Sequence, residues 1–503
     1  MANYLDLAIA ELFPGWAVKR EQARQILSYY EAAKPSKQRK GRREHGSGDT
    51  ATLRAGSSLR EQARHLEQNH DLVRGAIGIL IANIVGPNGI TVEPQPRRQD
   101  RSIDTDFAAQ ILDLYNDWSA RPEVTWEHDW PSAQRLSCRT WIRDGEFLAQ
   151  LLSGPMDTLQ HGTEVPFSIE LLEADYLPFE HNSFENPVIT QGVERNAWGK
   201  PIAYHVFRAH PGDMYRLPLQ LYDLKRISAD RIIHPKLVDR FSQARGVTAL
   251  ASVLMRLDDI KDYEESERIA AKVAASMAAV IKKGTPDMYV AGDGEDSRDI
   301  RFRAGSILTG LLPGESIETI DSNRPNPNLV TYRDGQLKAV SSGIGVNASS
   351  LSKNYNGSYS SQRQELVEGW SNYLTIQNEF TARFVRPIYE QFITTAVLSG
   401  KLRIPSHIQP RSVLRAIYQG PQMPWIDPQR EAKAWETLER NGHASGPEII
   451  RRRGFTPEDV FEQERAWRQR WRDARELIAT DPAIDPKYQA LLGVTNEQNA
   501  NQG

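Results

Sequence analysis

The first half of the chain mixes helical and strand-like spacing of apolar residues. Leucines and isoleucines recur every three or four positions from residue 57 to residue 85, which predicts an amphipathic helix ended by Gly86 and Pro87. Further helices are predicted over residues 16–33 and 104–118. Short runs of β-branched and aromatic residues predict strands at residues 90–92, 146–152, 167–172, 188–193 and 201–207.

The second half is predicted to be mostly helical. Residues 246–283 carry one apolar stripe, which predicts a single helix of almost forty residues, roughly 55 Å at ~1.5 Å per residue. Its members are Leu250, Leu254, Leu257, Ile269, Val273, Met277 and Val280. Residues 284–324 are predicted to form short β-like segments. Residues 329–343 are predicted to form a helix, and residues 401–405 a strand. Two further helices should begin at Asp427-Pro428 and at Thr456-Pro457.

Residues 345–361, GVNASSLSKNYNGSYSS, have neither a helical nor a strand period. Serine and asparagine side chains compete for backbone hydrogen bonds, so this composition predicts a loop. The long helix that follows should begin at Ser361, with Gln364 completing a capping box, and Pro387 should kink or break it. A long polar loop between two helices usually binds a ligand, moves or is disordered.

Overall composition narrows the class of protein. The 503 residues carry a net charge of −3, which disfavours a protein that binds a large nucleic-acid surface tightly. The single cysteine, Cys138, excludes an intramolecular disulfide and a multi-cysteine metal site, and we expect it to be buried. Without a signal peptide, and with an apolar run at residues 75–86 too short to span a bilayer, we expect a soluble cytoplasmic product with no membrane partner.

Two local charge clusters stand out. The stretch at residues 34–43 is rich in lysine and arginine, and it is either an arm that touches phosphate or a solvated flexible segment. The predicted long helix carries an acidic cluster, whose like charges repel mildly and favour exposure to water or a specific role. The acidic residues are Asp258, Asp259, Asp262, Glu264, Glu265 and Glu267.

Candidate catalytic chemistry is weak. Residues 292–299, GDGEDSRD, offer carboxylates for a divalent metal ion, but the spacing does not match an EF-hand. A Ser–Lys dyad at Lys353 lacks a nucleophile elbow, no phosphate-binding loop is present, and three histidines are scattered: His205, His210 and His234. We therefore expect no enzyme, metal or cofactor. The alternative is a metal-dependent DNA-processing enzyme that uses residues 293–299.

Taken in order, these elements resemble the lambda-like family of tailed-bacteriophage portal proteins. The order is long helix, compact β insert, second helix, polar loop and long kinked helix. The resemblance is spread from about residue 57 to residue 470, and the order and spacing of its stretches are more specific than any one of them. These include HDLVRGAIGILIANIVGPNGI, ARGVTALASVLMRLDDIKDYEESERIAAKVAASMAAVI, LLPGESIE, AVSSGIGVNASSL, NYNGSYSSQRQELVEGW and WIDPQREAKAWETLERNG.

The resemblance implies a mainly helical α+β portal fold, assembled as a ring of commonly twelve subunits around a central channel. It implies an N-terminal arm and wing at residues 1–245 and a first stem helix at 246–283. The remaining parts would be a clip at 284–324, a second stem helix at 325–345, a channel loop at 346–361, a long kinked wing helix at 362–405, a helical crown at 406–478 and a partly disordered tail at 479–503.

The family also implies a function and partners. The ring would sit at one capsid vertex of the virion, after assembly in the host cytoplasm, and pass double-stranded DNA during packaging and ejection. Its partners would be the terminase large subunit, the head-tail connector, the major capsid protein and the scaffold. The DNA-facing loop residues would be Asn347, Ser349, Ser350, Ser352, Lys353, Asn354, Tyr355, Asn356 and Ser358, and the clip residues facing the terminase or connector would be Asp293, Glu295, Asp296 and Arg298.

A conduit must hold DNA without gripping it, because each fixed phosphate contact would resist sliding. An acidic stem repeated around a ring would form a repelling wall, and one lysine per loop would touch the backbone weakly and without sequence preference. The apolar stripes of the stem helices would bury against neighbouring subunits.

Overall fold

The computed structural model shows a mainly helical α+β chain. It describes residues 46–155, 159–185, 187–213, 223–276, 280–283, 315–318, 328–424 and 427–480, together with residues 15 and 157. The predicted helix at 16–33, the basic stretch at 34–43 and the tail beyond residue 480 lie outside the described residues. Among the described helices, none combines the length and the apolar character that crossing a membrane would require.

The first half alternates helices with short strands. Its elements are α1 (Gly48–Asn69), α2 (Asp71–Ile84), β1 (Thr91–Pro94), α3 (Thr105–Ser119), α4 (Trp130–Asp144), β2 (Phe147–Ser153), β3 (Phe167–Glu173), β4 (Val188–Thr190), β5 (Val193–Arg195), β6 (Pro201–Phe207), β7 (Leu224–Ser228) and β8 (Ile232–Ile233). The single helix predicted over 57–85 is two helices, because His70 takes an extended conformation with φ −128° between them. The strand predicted over 188–193 is likewise two strands, reversed at Gln191 and Gly192, whose φ values are positive.

The second half is dominated by helices. Its elements are α5 (Leu254–Ser276), β9 (Val280–Lys283), β10 (Glu315–Glu318), α6 (Leu329–Ile344), α7 (Ala348–Ser352), α8 (Tyr359–Phe380), α9 (Arg386–Leu398), β11 (Ala416–Gln419), α10 (Pro428–Arg440), α11 (Gly446–Arg452) and α12 (Pro457–Thr480). The helices predicted at 329–343, after Asp427 and after Thr456 are confirmed. Asp427 caps α10, since its carboxylate accepts a hydrogen bond from the backbone N–H of Arg430 at 3.2 Å. The strand predicted at 401–405 is wrong, because the strand of this region is β11.

The prediction of one forty-residue helix over 246–283 is also wrong. Helix α5 has 23 residues, so it is roughly 35 Å long at ~1.5 Å per residue. Its predicted first turns are instead held against the end of α4 and the residue before β2: the backbone N–H of Ala249 donates to the Ile142 carbonyl at 3.0 Å, and that of Gly246 donates to Glu146 at 2.7 Å. Its predicted last turn is β9, which pairs antiparallel with β10.

Helices α8 and α9 form one nearly continuous rod. Pro387 does not break it; a π turn at Thr381–Val385 joins the two helices and Pro387 lies in the first turn of α9. A π turn is a recognised place for a helix to bend, so the predicted kink is accommodated just before the proline. The rod spans roughly 60 Å at ~1.5 Å per residue.

Aromatic side chains fill the core around this rod. Trp118 stacks on Phe167 with ring centroids 5.6 Å apart and donates its indole N–H to the Phe167 carbonyl at 3.0 Å. Phe384 of the π turn meets Phe147 edge to face at 5.0 Å, and Phe392 of α9 lies 5.4 Å from Trp118. The predicted burial of Cys138 is confirmed, and burial raises the pKa of its thiol. The rod is therefore fixed to the first-half helices and sheet.

Two sheets and one long-range strand pair complete the body. Strand order is β3-β2-β8 in one sheet and β4-β5-β6-β7 in the other. Strand β1 pairs antiparallel with β11, so that Thr91 lies opposite Gln419. This pair ties the beginning of the described chain to the segment that follows the rod.

Candidate functional site

The segment at 345–361, predicted to be a loop, contains a short helix. Gly345 ends α6 with φ 79°, and its carbonyl accepts a hydrogen bond from Asn372 Nδ2 of α8 at 2.7 Å. Residues 348–352 then form α7, and Lys353 follows in the left-handed region with φ 56°. The prediction of an entirely irregular segment is therefore wrong for the five residues of α7 and for the three residues, 359–361, that begin α8.

Helix α7 forms because tertiary contacts support it. Leu351 is buried, and the backbone N–H of Ser349 donates to the Glu365 carboxylate of α8 at 3.0 Å. Asn347 is buried as well, and its side chain packs so closely on Gly369 that a Cβ there would overlap it. A serine-rich sequence has little helix propensity of its own. The sequence therefore did not predict α7, which depends on these contacts with residues distant along the chain.

Exposure divides the nine predicted loop residues into three groups. Asn347 is buried, and Ser349, Ser350 and Ser352 are half-buried on α7. The remaining five lie on the exposed stretch between α7 and α8: Lys353, Asn354, Tyr355, Asn356 and Ser358. Tyr355 is 55% exposed. This last group is the part of the segment most accessible to a partner.

The start of α8 differs from the predicted one. Ser358, rather than Ser361, caps the helix: its hydroxyl oxygen accepts a hydrogen bond from the Ser361 backbone N–H at 3.3 Å. Gln362 then folds back, donating from Nε2 to the carbonyls of Gly357 (3.2 Å) and Tyr355. The capping-box prediction therefore placed the helix start about one turn too late.

An open polar cleft of about 390 Å³ lies beside this segment. The residues that line it come from three helices and the exposed stretch, and they include Asp334, Lys338, Ser349, Asn354 and Glu365. The cleft was not predicted from the sequence, because its charged residues lie on two helices on either side of the loop: Asp334 and Lys338 on α6, and Glu365 on α8. The four-residue spacing of Asp334 and Lys338 was the available signal, since it puts both on one helix face.

The acidic cluster divides between solvent and protein. Asp258, Asp259, Asp262 and Glu265 are exposed, as expected of a solvated face. Glu264 instead pairs with Arg333 of α6 at 2.5 Å, and Glu267 is buried. Tyr263 contacts Tyr332, with ring centroids 4.9 Å apart, and Arg256, earlier in α5, donates to Gln336, later in α6. The two helices therefore lie side by side and run antiparallel.

The apolar stripe of α5 is only partly available to a neighbouring molecule. Leu250, Leu254, Leu257 and Ile260 are buried within the chain. Ile269 of the stripe is 54% exposed, and other exposed apolar residues of the α5–α6 pair are Met255 (81%), Val330 (67%) and Tyr332 (46%).

The four predicted clip residues, Asp293, Glu295, Asp296 and Arg298, lie outside the described residues, as does the alternative metal site at 293–299. The scattered histidines are not brought together into one site. His205 pairs with Glu194 at 3.1 Å and His234 with Glu146 at 3.0 Å.

His210 joins Glu173 and Asp175 in the one group of the described residues with metal-ligand geometry. A guanidinium already occupies this group, since Arg64 Nη2 lies 2.5 Å from Asp175 and 2.7 Å from Asp144. Burial opposes ionisation of Asp175, but Arg60 and Arg64 outweigh it and lower the pKa of this carboxyl. The cluster is therefore an ion-pair network.

A second charged cluster lies deeper and was missed from the sequence. Arg245, fully buried, donates to Glu146 at 2.8 Å and to the Leu177 carbonyl at 2.7 Å, and its guanidinium stacks 4.0 Å from the Phe179 ring centre. Arg60 of α1 also donates to Glu146, at 2.9 Å. Burial alone would raise the pKa of Glu146, but Arg245, His234 and Arg60 lower it. The cluster fixes α1 to the sheets.

Comparison with known proteins gives a consistent result. The family model described as "Phage portal protein, lambda family" matches residues 34–377. A probable portal protein of Halomonas phage phiHAP-1 is 27% identical over 437 residues, covering 84% of this chain and 82% of the relative. The portal protein of Escherichia phage N15 and portal protein B of Escherichia phage lambda are 22% and 21% identical, each covering 43% of this chain and 45% of the relative.

Solved structures show a weaker likeness. A chain from the virion of the native gene transfer agent particle is 12% identical with a TM-score of 0.49, covering 82% of this chain and 99% of that one. A chain from the neck of the native particle, computed with C12 symmetry, is 13% identical with a TM-score of 0.44, covering 80% and 94%. Both scores are below 0.5, so they carry no weight for assembly.

Proposed function

Because the chain belongs to the lambda family of phage portal proteins, we propose that it forms a ring of twelve subunits at one capsid vertex of the virion. DNA passes through the central channel during packaging and again at ejection. The ring assembles in the host cytoplasm with the major capsid protein and scaffold, docks the terminase large subunit, and later binds the head-tail connector. The match of the family model over residues 34–377 carries this proposal.

Each part of the ring corresponds to particular elements. Helices α5 and α6 are the stem, the segment between them (284–324) is the clip, and α10, α11 and α12 belong to the crown. The first-half helices and sheets form the wing with the α8–α9 rod. The clip residues Asp293, Glu295, Asp296 and Arg298 face the terminase and then the connector. Direct connection of α6, α7 and α8 through the exposed stretch supports a loop held between stem and wing.

Residues 353–358 form the part of the loop that meets DNA. Lys353 is the only charged residue of the segment 345–361, and Asn354, Tyr355, Asn356 and Ser358 around it are exposed and uncharged. One cation per subunit gives a weak contact with phosphate that does not depend on base sequence. The exposed carboxylates of α5, repeated around the ring, oppose tight adhesion of DNA to the wall.

Exposed apolar residues support assembly with neighbouring copies. Met255, Ile269 and Val330 on the stem helices are more than half exposed in the single chain. Burial of such a side chain stabilises an interface by about 1.5–3 kcal/mol. Neighbouring subunits of a ring would cover these residues.

Electron microscopy of the purified protein tests the ring directly. We expect particles with a central hole and twelvefold symmetry. A protein that stays monomeric under capsid-assembly conditions would contradict the proposal.

Loop function is tested by deleting residues 354–357 and, separately, by Lys353→Ser. The deletion is confined to the exposed stretch because α7 is packed against α8 and its loss would disturb the fold. We expect rings of normal symmetry with reduced DNA packaging or retention. Ser360→Ala, on the exposed first turn of α8, is the matched control. If the deletion variant packaged as much DNA as this control, the assignment of residues 353–358 to DNA contact would be wrong.

A further inference from the structure

The segment that follows the rod contains basic residues and no acidic ones. From residue 391 to residue 426 the chain contains no aspartate or glutamate, although Asp and Glu together number 65 of its 503 residues. Within that stretch lie five basic or titratable cations, here called the basic segment: Lys401, Arg403, His407, Arg411 and Arg415. All five are exposed.

The basic segment is rigidly attached to the body. The backbone N–H of Gln409 donates to the Arg97 carbonyl at 2.8 Å, and that of Gln95 donates to the Arg415 carbonyl at 2.8 Å. Leu402, Ile408 and Val413 are buried beneath it. The apolar side chains are thus used inside the subunit, while the cationic ones remain on a fixed surface.

Few of these charges are neutralised. Lys401 pairs with Glu164 at 3.0 Å, and His407 lies 2.9 Å from Asp104. Within the described part of the chain, Arg403, Arg411 and Arg415 have no carboxylate within 4 Å. Exposed arginines of the C-terminal helices differ, since Arg440, for example, pairs with Glu436 at 2.8 Å.

Asp104, the carboxylate beside His407, is held by other groups as well. Asp104 caps α3 through the Phe107 backbone N–H at 2.9 Å and also accepts from Arg98 at 2.7 Å. Hydrogen bonds from Arg98 and the Phe107 N–H lower the pKa of Asp104 to about 2. Because Arg98, His407 and the Phe107 N–H already contact the Asp104 carboxylate, it is not free to pair with Arg403, Arg411 or Arg415.

The basic segment is remote from the candidate channel loop. The loop directly precedes α8, the basic segment directly follows α9, and the α8–α9 rod between them is roughly 60 Å long at ~1.5 Å per residue. With the loop at the channel, the other end of the rod lies towards the outside of the ring.

We propose that the basic segment binds the phosphate backbone of double-stranded DNA outside the channel. Unpaired exposed arginines on a fixed backbone suit phosphate oxygens, which they contact by charge-assisted hydrogen bonds. A protein interface is typically apolar at its centre, whereas this surface is mainly cationic: Leu402, Ile408 and Val413 are buried, and Leu414 is the exposed apolar residue between Arg411 and Arg415. Binding is sequence-independent and weakens steeply with salt.

The test uses the full-length protein and covalently closed circular duplex DNA, which cannot thread a ring. Arg403→Gln, Arg411→Gln and Arg415→Gln are combined in one variant. The matched control combines Arg430→Gln, Arg440→Gln and Arg452→Gln, which remove the same charge from exposed arginines of α10 and α11 that are paired with carboxylates. Dissociation constants are measured between 50 and 200 mM salt (roughly the range over which phosphate contacts dominate).

We expect the control to bind like the wild type. In the basic-segment variant, the slope of log affinity against log salt should fall by about one for each arginine that touches phosphate, and affinity by about tenfold or more. Equal binding by all three proteins, or no binding by the wild type at the lowest salt, would overturn the proposal. Displacement of the circle by polyglutamate as readily as by duplex DNA would indicate an acidic protein partner and also overturn it.

The outcome is separable from that of the channel proposal. Both triple variants retain Lys353 and the rest of the channel loop, so a difference between them does not depend on DNA entering the channel. Failure of the protein to form rings would still leave the difference between the two triple variants measurable on single subunits.

Discussion

The proposed wing (the first-half helices and sheets with the α8–α9 rod) buries several of its charged side chains, whereas the C-terminal helices expose theirs. Arg60, Glu146, His234 and Arg245 are at most a few per cent exposed and satisfy one another inside one subunit. In α10 and α11 no residue is buried at all, and α12 exposes Phe461, Trp467 and Trp471. The buried charges of the proposed wing are thus paired within the chain, whereas the C-terminal helices leave large aromatic side chains exposed.

This difference indicates where stability should reside. A buried charge that loses its partner is left without water or a counter-ion, so the wing should respond strongly to single substitutions. Ion pairs on the exposed helices, such as Arg468 with Glu464 at 2.7 Å, are hydrated and weak. Changes there should affect assembly more than folding.

Arg245→Met should produce the largest effect. It leaves Glu146 with fewer counter-charges and removes hydrogen bonds to the Leu177 and Ala174 carbonyls. We expect a loss of about 3–5 kcal/mol in the free energy of unfolding, measured by near-UV circular dichroism in urea. Arg440→Met, which removes a 77% exposed arginine, should change it by no more than about 0.5 kcal/mol. If the two substitutions changed the free energy of unfolding by similar amounts, the proposed difference in stability between the buried charge cluster and the C-terminal helices would be wrong.

Trp467→Ser combined with Trp471→Ser should come next. The two rings contact edge to face at 5.8 Å and are about half exposed. If neighbouring subunits bury them, we expect the concentration needed for ring assembly to rise about 10- to 100-fold, while unfolding of the subunit is unchanged. Analytical ultracentrifugation would measure assembly, with Gln463→Ser on the same helix as the control. Normal assembly by the double variant would show that these tryptophans need no partner subunit.

His234→Gln should reveal the pH dependence of the wing. Burial lowers the pKa of His234 below 6.5, although Glu146 opposes the shift and Lys236 and Arg245 reinforce it. The folded state therefore binds fewer protons on this ring than the unfolded state, so its contribution is complete above pH 6.5 and is lost as the pH falls. Between pH 7 and pH 5 the wild type should lose about 1–2 kcal/mol more than the variant. Parallel pH profiles of the melting temperature would contradict this assignment.

Lys353→Asn should have the smallest effect. Asparagine tolerates the left-handed region better than lysine does, so removing this strain should stabilise α7 by a few tenths to about 1 kcal/mol. Hydrogen exchange of the amides in residues 348–358 would report the change, and Lys353→Ala, which retains the strain, is the control. Faster exchange in the asparagine variant would show that the lysine side chain itself stabilises the segment.

Local sequence signals located most elements but not all of their ends. The Asp427 cap and the Gly86 turn were each sufficient to place a helix end, because capping and turn signals act over one or two turns. The start of α8 was misplaced because several serines can all serve as caps. Of the three predicted groups of functional residues, the loop and the acidic face lie within the described residues, whereas the clip residues do not.

The sequence by itself determined the mainly helical α+β class, the exposed polar stretch around Lys353 and the order of elements by which the family was recognised. Tertiary structure decided the ends of α5, the existence of α7 and the burial of Asn347 and Glu267. It also brought Arg60, Glu146 and Arg245 together in one buried cluster, and it joined Gln95 to Arg415 through a backbone hydrogen bond. The reason is physical: periodicity and capping depend on neighbours along the chain, whereas burial and charge pairing depend on segments that meet only when the chain is folded.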